Sequence, residues 1–464
     1  MISRARAAFT GTPGALSLTG PLAAFLALAA PAQAAGTLYP AFCPIGAPAN
    51  LTCWRGQDAE GAHLLVARPA NWNGRLVTHI FGGPRLAPPS ATTTDDDLLA
   101  YAEFVRQGWA WVSTSRRKAG FAILRGAADA LSARDAAAAL LGEPRLSVLH
   151  GQSWGGAVAA RAIEALNAPR ADGRRPWDGA LLTSAVLAGP SRAYDMRVDL
   201  RAAFQAICGT HPRPQETQYP VVFGLPQGAR MTREDLMLRL NACTGADLAP
   251  DLRTAAQTEA LADLSAASRI PPWAIPGHLM WATTVFADIT WNLLEGRSAF
   301  GNERVRYSGT HDDAAFNARV PRYTPDPAAA AILAADGDPT GAVGVPVMTV
   351  HGIHDPVVYV EHQAAYRATL ARAGTAHLLQ QVFVDESEHQ KLSPPIYAAA
   401  LGALADWVET RRRPSAAEVL GRCEALRRRF PGECRIQPDY APGAWESRVN
   451  PRQPAEPQRA SASP

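Results

Sequence analysis

The 464-residue sequence is 47% hydrophobic and 19% charged, with a formal net charge of +3. That is too apolar for an intrinsically disordered chain and ordinary for a globular one. The weak positive balance, with no basic stripe interleaved with aromatics, argues against nucleic acid as a partner, and no apolar run reaches the ~20 residues of a membrane span.

In chain order, residues 1–34 read as an export signal. Arg4 and Arg6 supply positive charge, PLAAFLALAA at 21–30 is a short apolar core, and Ala32-Gln33-Ala34 is a small-residue cleavage site. The mature protein is expected to be exported, to the periplasm or beyond. Six cysteines agree with an oxidising compartment. They fall as neighbours, Cys43 with Cys53, Cys208 with Cys243 and Cys423 with Cys434. Sequential pairing is expected because each bridge then closes a short loop.

Residues 35–60 read as loop. Strands are expected at 63–68 (HLLVAR), 75–81 (RLVTHIF) and 109–115 (WAWVSTS), with helices at 95–107 and 121–141. The second strand runs into Gly82-Gly83-Pro84. Arg116-Arg117-Lys118 follows the third, as a solvated charge run or an attractor for an anionic substrate. A strand at 145–150 leads into Gly151-Gln152-Ser153-Trp154-Gly155, and an alanine-rich helix follows to about 167. Strand, sharp turn and helix are the context a nucleophile elbow requires. A further strand is expected at 181–188.

The alternation then stops. Residues 192–343 carry several helical stretches and the aromatics Trp273, Trp281, Phe286 and Trp291, and are expected to form a mainly helical lid inserted in a core made of 35–191 and 344–412. Trp281 and Trp291, with Trp154, are the candidate substrate-binding aromatics. The alternation resumes with strands at 345–351 and 378–384 and helices at 359–373 and 397–409. Residues 413–448 form a disulfide-containing extension, and 449–464 a disordered tail. Strands alternating with helices imply an α/β fold, a mostly parallel sheet covered on both faces.

A serine hydroxyl needs a base within hydrogen-bond reach, and the base needs an orienting acid. In hydrolases of this architecture the order is serine, acid, histidine. Here Ser153 is followed by Asp355, in the loop after the 345–351 strand, and by His389, after the next strand. Asp385 is the reserve acid. His362 and His377 lie on or beside a helix and read as surface residues. His351 and His354 pack around the acid loop. With Asp355 they also have the residue types of a metal site, but no second matching group accompanies them, so neither metal nor cofactor is expected. The oxyanion donors are expected to be the backbone N–H of Trp154 and that of Gly83, with Gly82 as the alternative.

Pro69-Ala70-Asn71-Trp72-Asn73-Gly74-Arg75-Leu76-Val77, Gly-Asp-Pro-Thr-Gly at 337–341, Val-Pro-Val-Met-Thr-Val-His at 345–351, Asp355-Pro356-Val357-Val358 and Glu361-His-Gln-Ala-Ala-Tyr366 resemble exported bacterial α/β-hydrolases, over roughly 60–190 and 335–412. Two positions depart from that pattern. The oxyanion loop lacks a leading His-Gly, and His389 follows glutamate instead of glycine. A shorter likeness, Gly-Gly-Pro with Gly-x-Ser-Trp-Gly-Gly, is to proline iminopeptidase-type peptidases. The resemblance implies an α/β-hydrolase fold and a secreted serine hydrolase acting on a small-molecule or polymeric carboxylic ester. An amidase or peptidase with the same triad is the alternative, and a hydrolase-fold binding protein without catalysis is a third reading. The pattern specifies no oligomeric state.

Overall fold

The computed structural model describes residues 37–452. The expected export signal at 1–34 lies outside these residues, as does the tail from 453. Among the described residues nine strands form one sheet: β1 (Leu38–Ala41), β2 (Leu51–Gln57), β3 (His63–Pro69), β4 (Arg75–Ile80), β5 (Ala110–Thr114), β6 (Leu146–Gln152), β7 (Gly179–Thr183), β8 (Val347–Gly352) and β9 (Leu379–Val384). Their order is β1-β2-β3-β5-β4-β6-β7-β8-β9. The pairs among β1, β2, β3 and β5 are antiparallel, and every pair from β5 across to β9 is parallel. This mostly parallel sheet with surrounding helices is the α/β-hydrolase fold.

β1 and β2 correct the expectation of loop at 35–60. β1 is an edge strand and carries Pro40, which only an edge tolerates. The Cys43–Cys53 disulfide ties the turn after β1 to β2. The other two bridges, Cys208–Cys243 and Cys423–Cys434, also follow the sequential pairing.

Helices α1 (Ala91–Ala100) and α2 (Ala102–Arg106) replace the single helix expected at 95–107, with a break at Tyr101. They are followed by α3 (Ile123–Leu141) and α4 (Trp154–Ala165). Between β7 and β8 come α5 (Pro190–Ala193), α6 (Asp195–Cys208), α7 (Arg233–Thr244), α8 (Ala255–Ser268), α9 (Ile275–Asp288), α10 (Asp313–Arg319) and α11 (Pro327–Gly337), with no strand among them. The chain closes with α12 (Glu361–Arg372), α13 (Pro394–Thr410) and α14 (Ala416–Leu426).

Strand residues alternate between two cores, as the two-residue period demands. Leu149 and Leu182 join α3, α4 and the helical insertion, whereas Val148, Leu181, Met348 and Val382 face α1, α2 and α13. The insertion therefore shares its apolar core with one face of the sheet. The C-terminal extension braces the last strand. Ile436 bridges Val384, Gln437 N–H donates to Phe383 O at 2.8 Å, and Asp385 N–H donates to Arg435 O at 2.8 Å. Val449 and Asn450, expected in a disordered tail, are buried, and Asn450 Nδ2 donates to Asp199 Oδ2 at 2.9 Å.

Beneath the parallel strands lies a dry polar pair. His79 Nδ1 of β4 and His150 Nδ1 of β6 are 2.9 Å apart, and His150 Nε2 meets Thr183 Oγ1 at 3.0 Å. One shared proton suffices for the pair, and burial lowers the pKa of both imidazoles, that of His150 to about 3. In the unfolded chain His150 takes up a proton below about 6.5, whereas in the folded chain it stays neutral. Its titration thus costs nothing above about 6.5 and destabilises the fold progressively as the pH drops toward about 3. Stability against urea should decline more steeply in the wild type than in His150→Gln across that window, by about 1.4 kcal/mol per pH unit. Parallel profiles of the two proteins would contradict this.

Candidate active site

The carboxyl ends of β4, β6, β8 and β9 converge on one edge of the sheet, where ligands bind in open α/β folds. At the end of β6 the chain reverses abruptly into α4. Ser153 sits at that reversal with φ 56° and ψ −121°, a conformation costly for a residue with a side chain. Neighbouring contacts hold it there. Ser153 N–H donates to Thr183 O at 2.9 Å, and its carbonyl accepts from Gly156 N at 3.0 Å and Val186 N at 3.1 Å.

The glycines are required by close approach. A Cβ at Gly151 would lie 2.3 Å from Gly155 O. One at Gly155 would lie 2.3 Å from Ile80 O of β4, and one at Gly156 would lie 2.3 Å from Ala185 Cβ. Real Cβ atoms do not come that close, so α4 could not press against the sheet with any other residue at these positions.

Three side chains meet above this turn. His389 Nε2 is 3.0 Å from Ser153 Oγ, and His389 Nδ1 is 2.7 Å from Asp355 Oδ2. The other carboxylate oxygen, Asp355 Oδ1, accepts from Val357 N at 2.9 Å and Val358 N at 3.0 Å. Burial opposes ionisation of Asp355. The hydrogen bond and charge of His389, with help from His351 and the Val358 N–H, outweigh it and hold the pKa below the ordinary carboxylate value. An ionised Asp355 fixes the proton on Nδ1 and leaves Nε2 to face the serine.

The other candidates separate cleanly. Asp385 is half exposed and pairs with His354 at 3.4 Å, away from His389. His351 is buried, donating from Nε2 to Val358 O at 2.8 Å and accepting at Nδ1 from Gln363 at 2.9 Å. One nitrogen braces the acid loop at Val358 and the other is tied to α12 at Gln363. His362, expected at the surface, is 3% exposed, and its Nδ1 accepts from Ala188 N at 3.0 Å. Among the described residues no cluster of histidine, cysteine and carboxylate is arranged to hold a metal.

Trp154 opens α4, so its N–H is one of the helix's first, which have no intrahelical acceptor and sit at the positive end of the dipole. Its indole does not line a pocket as expected. It is 1% exposed, packed edge-on to Phe121 and against α3 beside Gly126. Of the two loop glycines, Gly82 is the one that abuts the serine. A Cβ there would be 3.2 Å from Ser153 Cβ, whereas Gly83, at φ 75°, faces open space. The side chains of Gln152 and Gln390 also crowd Gly82, and Gln152 Nε2 is buried without a hydrogen-bond partner. Nothing in the sequence pattern singled these amides out.

Arg116, expected to be solvated or substrate-facing, is 2% exposed. Its guanidinium lies over Phe81 at 4.7 Å and Trp154 at 4.5 Å, and Nη1 donates to Gly120 O. Burial lowers its pKa to about 10, which leaves a full positive charge over Phe81, beside the Gly82-Gly83 loop, at neutral pH. Trp281 lines a cavity beside the acid loop. Trp291 lines a different groove and donates its Nε1–H to Leu225 O at 2.8 Å.

No protein-family model and no curated protein matches the chain. Among solved structures, lipase A of Candida antarctica shares 14% identity over 82% of this chain and 83% of its own, with a TM-score of 0.44. An esterase from Aspergillus oryzae shares 13% over 82% and 88%, with a TM-score of 0.44. The rice cell wall degrading esterase LipA from Xanthomonas oryzae shares 11% over 82% and 90%, with a TM-score of 0.39. Likenesses this distant bear on neither the site nor the substrate.

The geometry separates the two acids experimentally. Asp355→Asn should lower kcat on an activated ester by about 10⁴, as loss of the orienting acid does elsewhere. Asp385→Asn should stay near wild type. Steady-state kinetics on both variants checks this, and the reverse ranking would overturn the placement of Asp355.

Proposed function

We propose that the protein is an exported serine hydrolase that cleaves carboxylic esters through an acyl-enzyme intermediate. The observation that carries the proposal is the continuous chain from Ser153 Oγ through the His389 imidazole to Asp355, at 3.0 and 2.7 Å. A hydroxyl held at that distance from an imidazole, itself oriented by a buried carboxylate, has the arrangement that activates a serine.

In the proposed mechanism Ser153 Oγ attacks the ester carbonyl while His389 Nε2 takes its proton. Asp355 holds Nδ1–H and stabilises the imidazolium. The tetrahedral oxyanion is met by the N–H of Trp154 and by a donor from the Gly82-Gly83 loop, with the positive charge of Arg116 beside that loop. Each such donor supplies on the order of 10²–10³ in rate. The tetrahedral adduct collapses as His389 returns the proton to the leaving alkoxide. Water activated by the same imidazole then releases the acid and regenerates Ser153.

Three disulfides support export, since such bonds persist in oxidising compartments. No helix among the described residues is long and apolar enough to cross a membrane.

Ser153→Ala should lower turnover of 4-nitrophenyl acetate by about 10⁴–10⁶ while leaving the thermal transition in place. The wild type alone should take a fluorophosphonate label. Retained activity or labelling in the variant would sink the assignment. Turnover of aminoacyl nitroanilides matching that of nitrophenyl esters would replace esterase with amidase.

A further inference from the structure

Beside the acid loop lies a cavity of about 200 Å³ between the helical insertion and Pro356-Val357, the residues that follow Asp355. Trp273 and Trp281 supply aromatic wall, and Arg197 of α6 and His278 of α9 supply the ionisable groups.

Arg197 is the unusual member. It is 4% exposed, and among the described residues no carboxylate pairs with it. Two other buried arginines have carboxylate partners, and a third has neutral oxygen acceptors. Arg161 meets Glu164, Arg134 meets Glu143, and Arg201 donates to two backbone carbonyls and Tyr219. Arg197 Nε donates to His278 Nδ1 at 3.1 Å, its guanidinium also hydrogen-bonds the Tyr194 side chain, and it lies 4.8 Å from the Tyr194 ring and 4.6 Å from that of Trp281; all of these partners are uncharged. His278 brings no negative charge. Its Nε2–H is committed to Pro356 O at 2.9 Å, so Nδ1 is the lone pair that accepts from Arg197, and burial lowers the imidazole pKa to about 3. The nearby catalytic-loop carboxylate is also committed, Asp355 Oδ2 to His389 and Oδ1 to two backbone N–H groups.

A guanidinium taken out of water without a counter-charge costs several kcal/mol, and its forked donors match a carboxylate bidentately. A void of about 150 Å³ is enough to hold a benzene ring. We propose that this cavity is a substrate subsite for a carboxylate carried on an aromatic ring. Arg197 takes the carboxylate, Trp281 and Trp273 flank the ring, and Pro356-Val357, which directly follow Asp355 in the chain, form the floor. The preferred substrate class is an ester of an aromatic unit that keeps a free carboxylate. This rests on the esterase reading for turnover, and stands apart from it for binding.

Two measurements test it. First, benzoate and benzamide are titrated against the Ser153→Ala protein by calorimetry, which requires no catalysis. Benzoate should bind at least about tenfold tighter, and Arg197→Met should bring the ratio of the two affinities close to one. Second, kcat/KM is compared for 3-acetoxybenzoate and phenyl acetate. The wild type should favour the carboxylated ester by about tenfold or more, and the preference should vanish in Arg197→Met.

If that variant does not fold, the wild-type ratios alone decide. Equal affinities for benzoate and benzamide, or an active esterase with no preference for the carboxylated ester, overturn the subsite. Arg197-dependent benzoate binding in a protein without ester turnover keeps the subsite and overturns the triad reading instead.

Discussion

Everything at this site depends on one backbone reversal held under strain. Ser153 adopts φ 56° because β6 must end and α4 must begin within a single residue. The sheet and helix are drawn together until Gly155 touches the carbonyls of Ile80 and Phe81. No local preference favours that geometry. It persists because three backbone hydrogen bonds to Ser153 and a buried, alanine-rich α4 leave the chain no alternative. The hydroxyl is thereby lifted off the sheet toward loops from strands whose sequence positions lie hundreds of residues away.

The second theme is charge in a dry setting. The Asp355 carboxylate is stabilised by His389 and two backbone N–H groups, so it remains ionised despite burial. Arg116 packs over Phe81, beside the Gly82-Gly83 loop, and Arg197 lines the cavity at Pro356-Val357, and among the described residues neither meets a carboxylate in an ion pair. In the proposed mechanism the Arg116 charge would favour an oxyanion forming in the transition state, and in the proposed subsite the Arg197 charge would favour an anionic substrate group.

Much of this was legible from residue order. Gly-x-Ser-x-Gly between an apolar run and an alanine-rich segment, an aspartate after one buried strand and a histidine after the next, led to the three groups that meet in space. The errors share a cause. β1 was invisible because Pro40 argues against a strand unless its position at the sheet edge is known. Trp154 looked like a pocket wall because adjacency in sequence says nothing about which way a side chain leaves the helix, and here it turns into the core. His362 looked exposed on a polar helix, but the helix presents that face to Ala188 and Trp445.

The sequence by itself determined the alternation of strand and helix, the elbow, and the serine-acid-histidine order, because these follow from local periodicity and from the residue types each turn tolerates. Only the tertiary structure decided that Asp355 and not Asp385 faces His389, that Gly82 abuts the serine, and that among the described residues no carboxylate pairs with the buried Arg197. Each of those depends on distances between segments far apart in the chain, set by how the sheet registers and how the helical insertion packs across its edge.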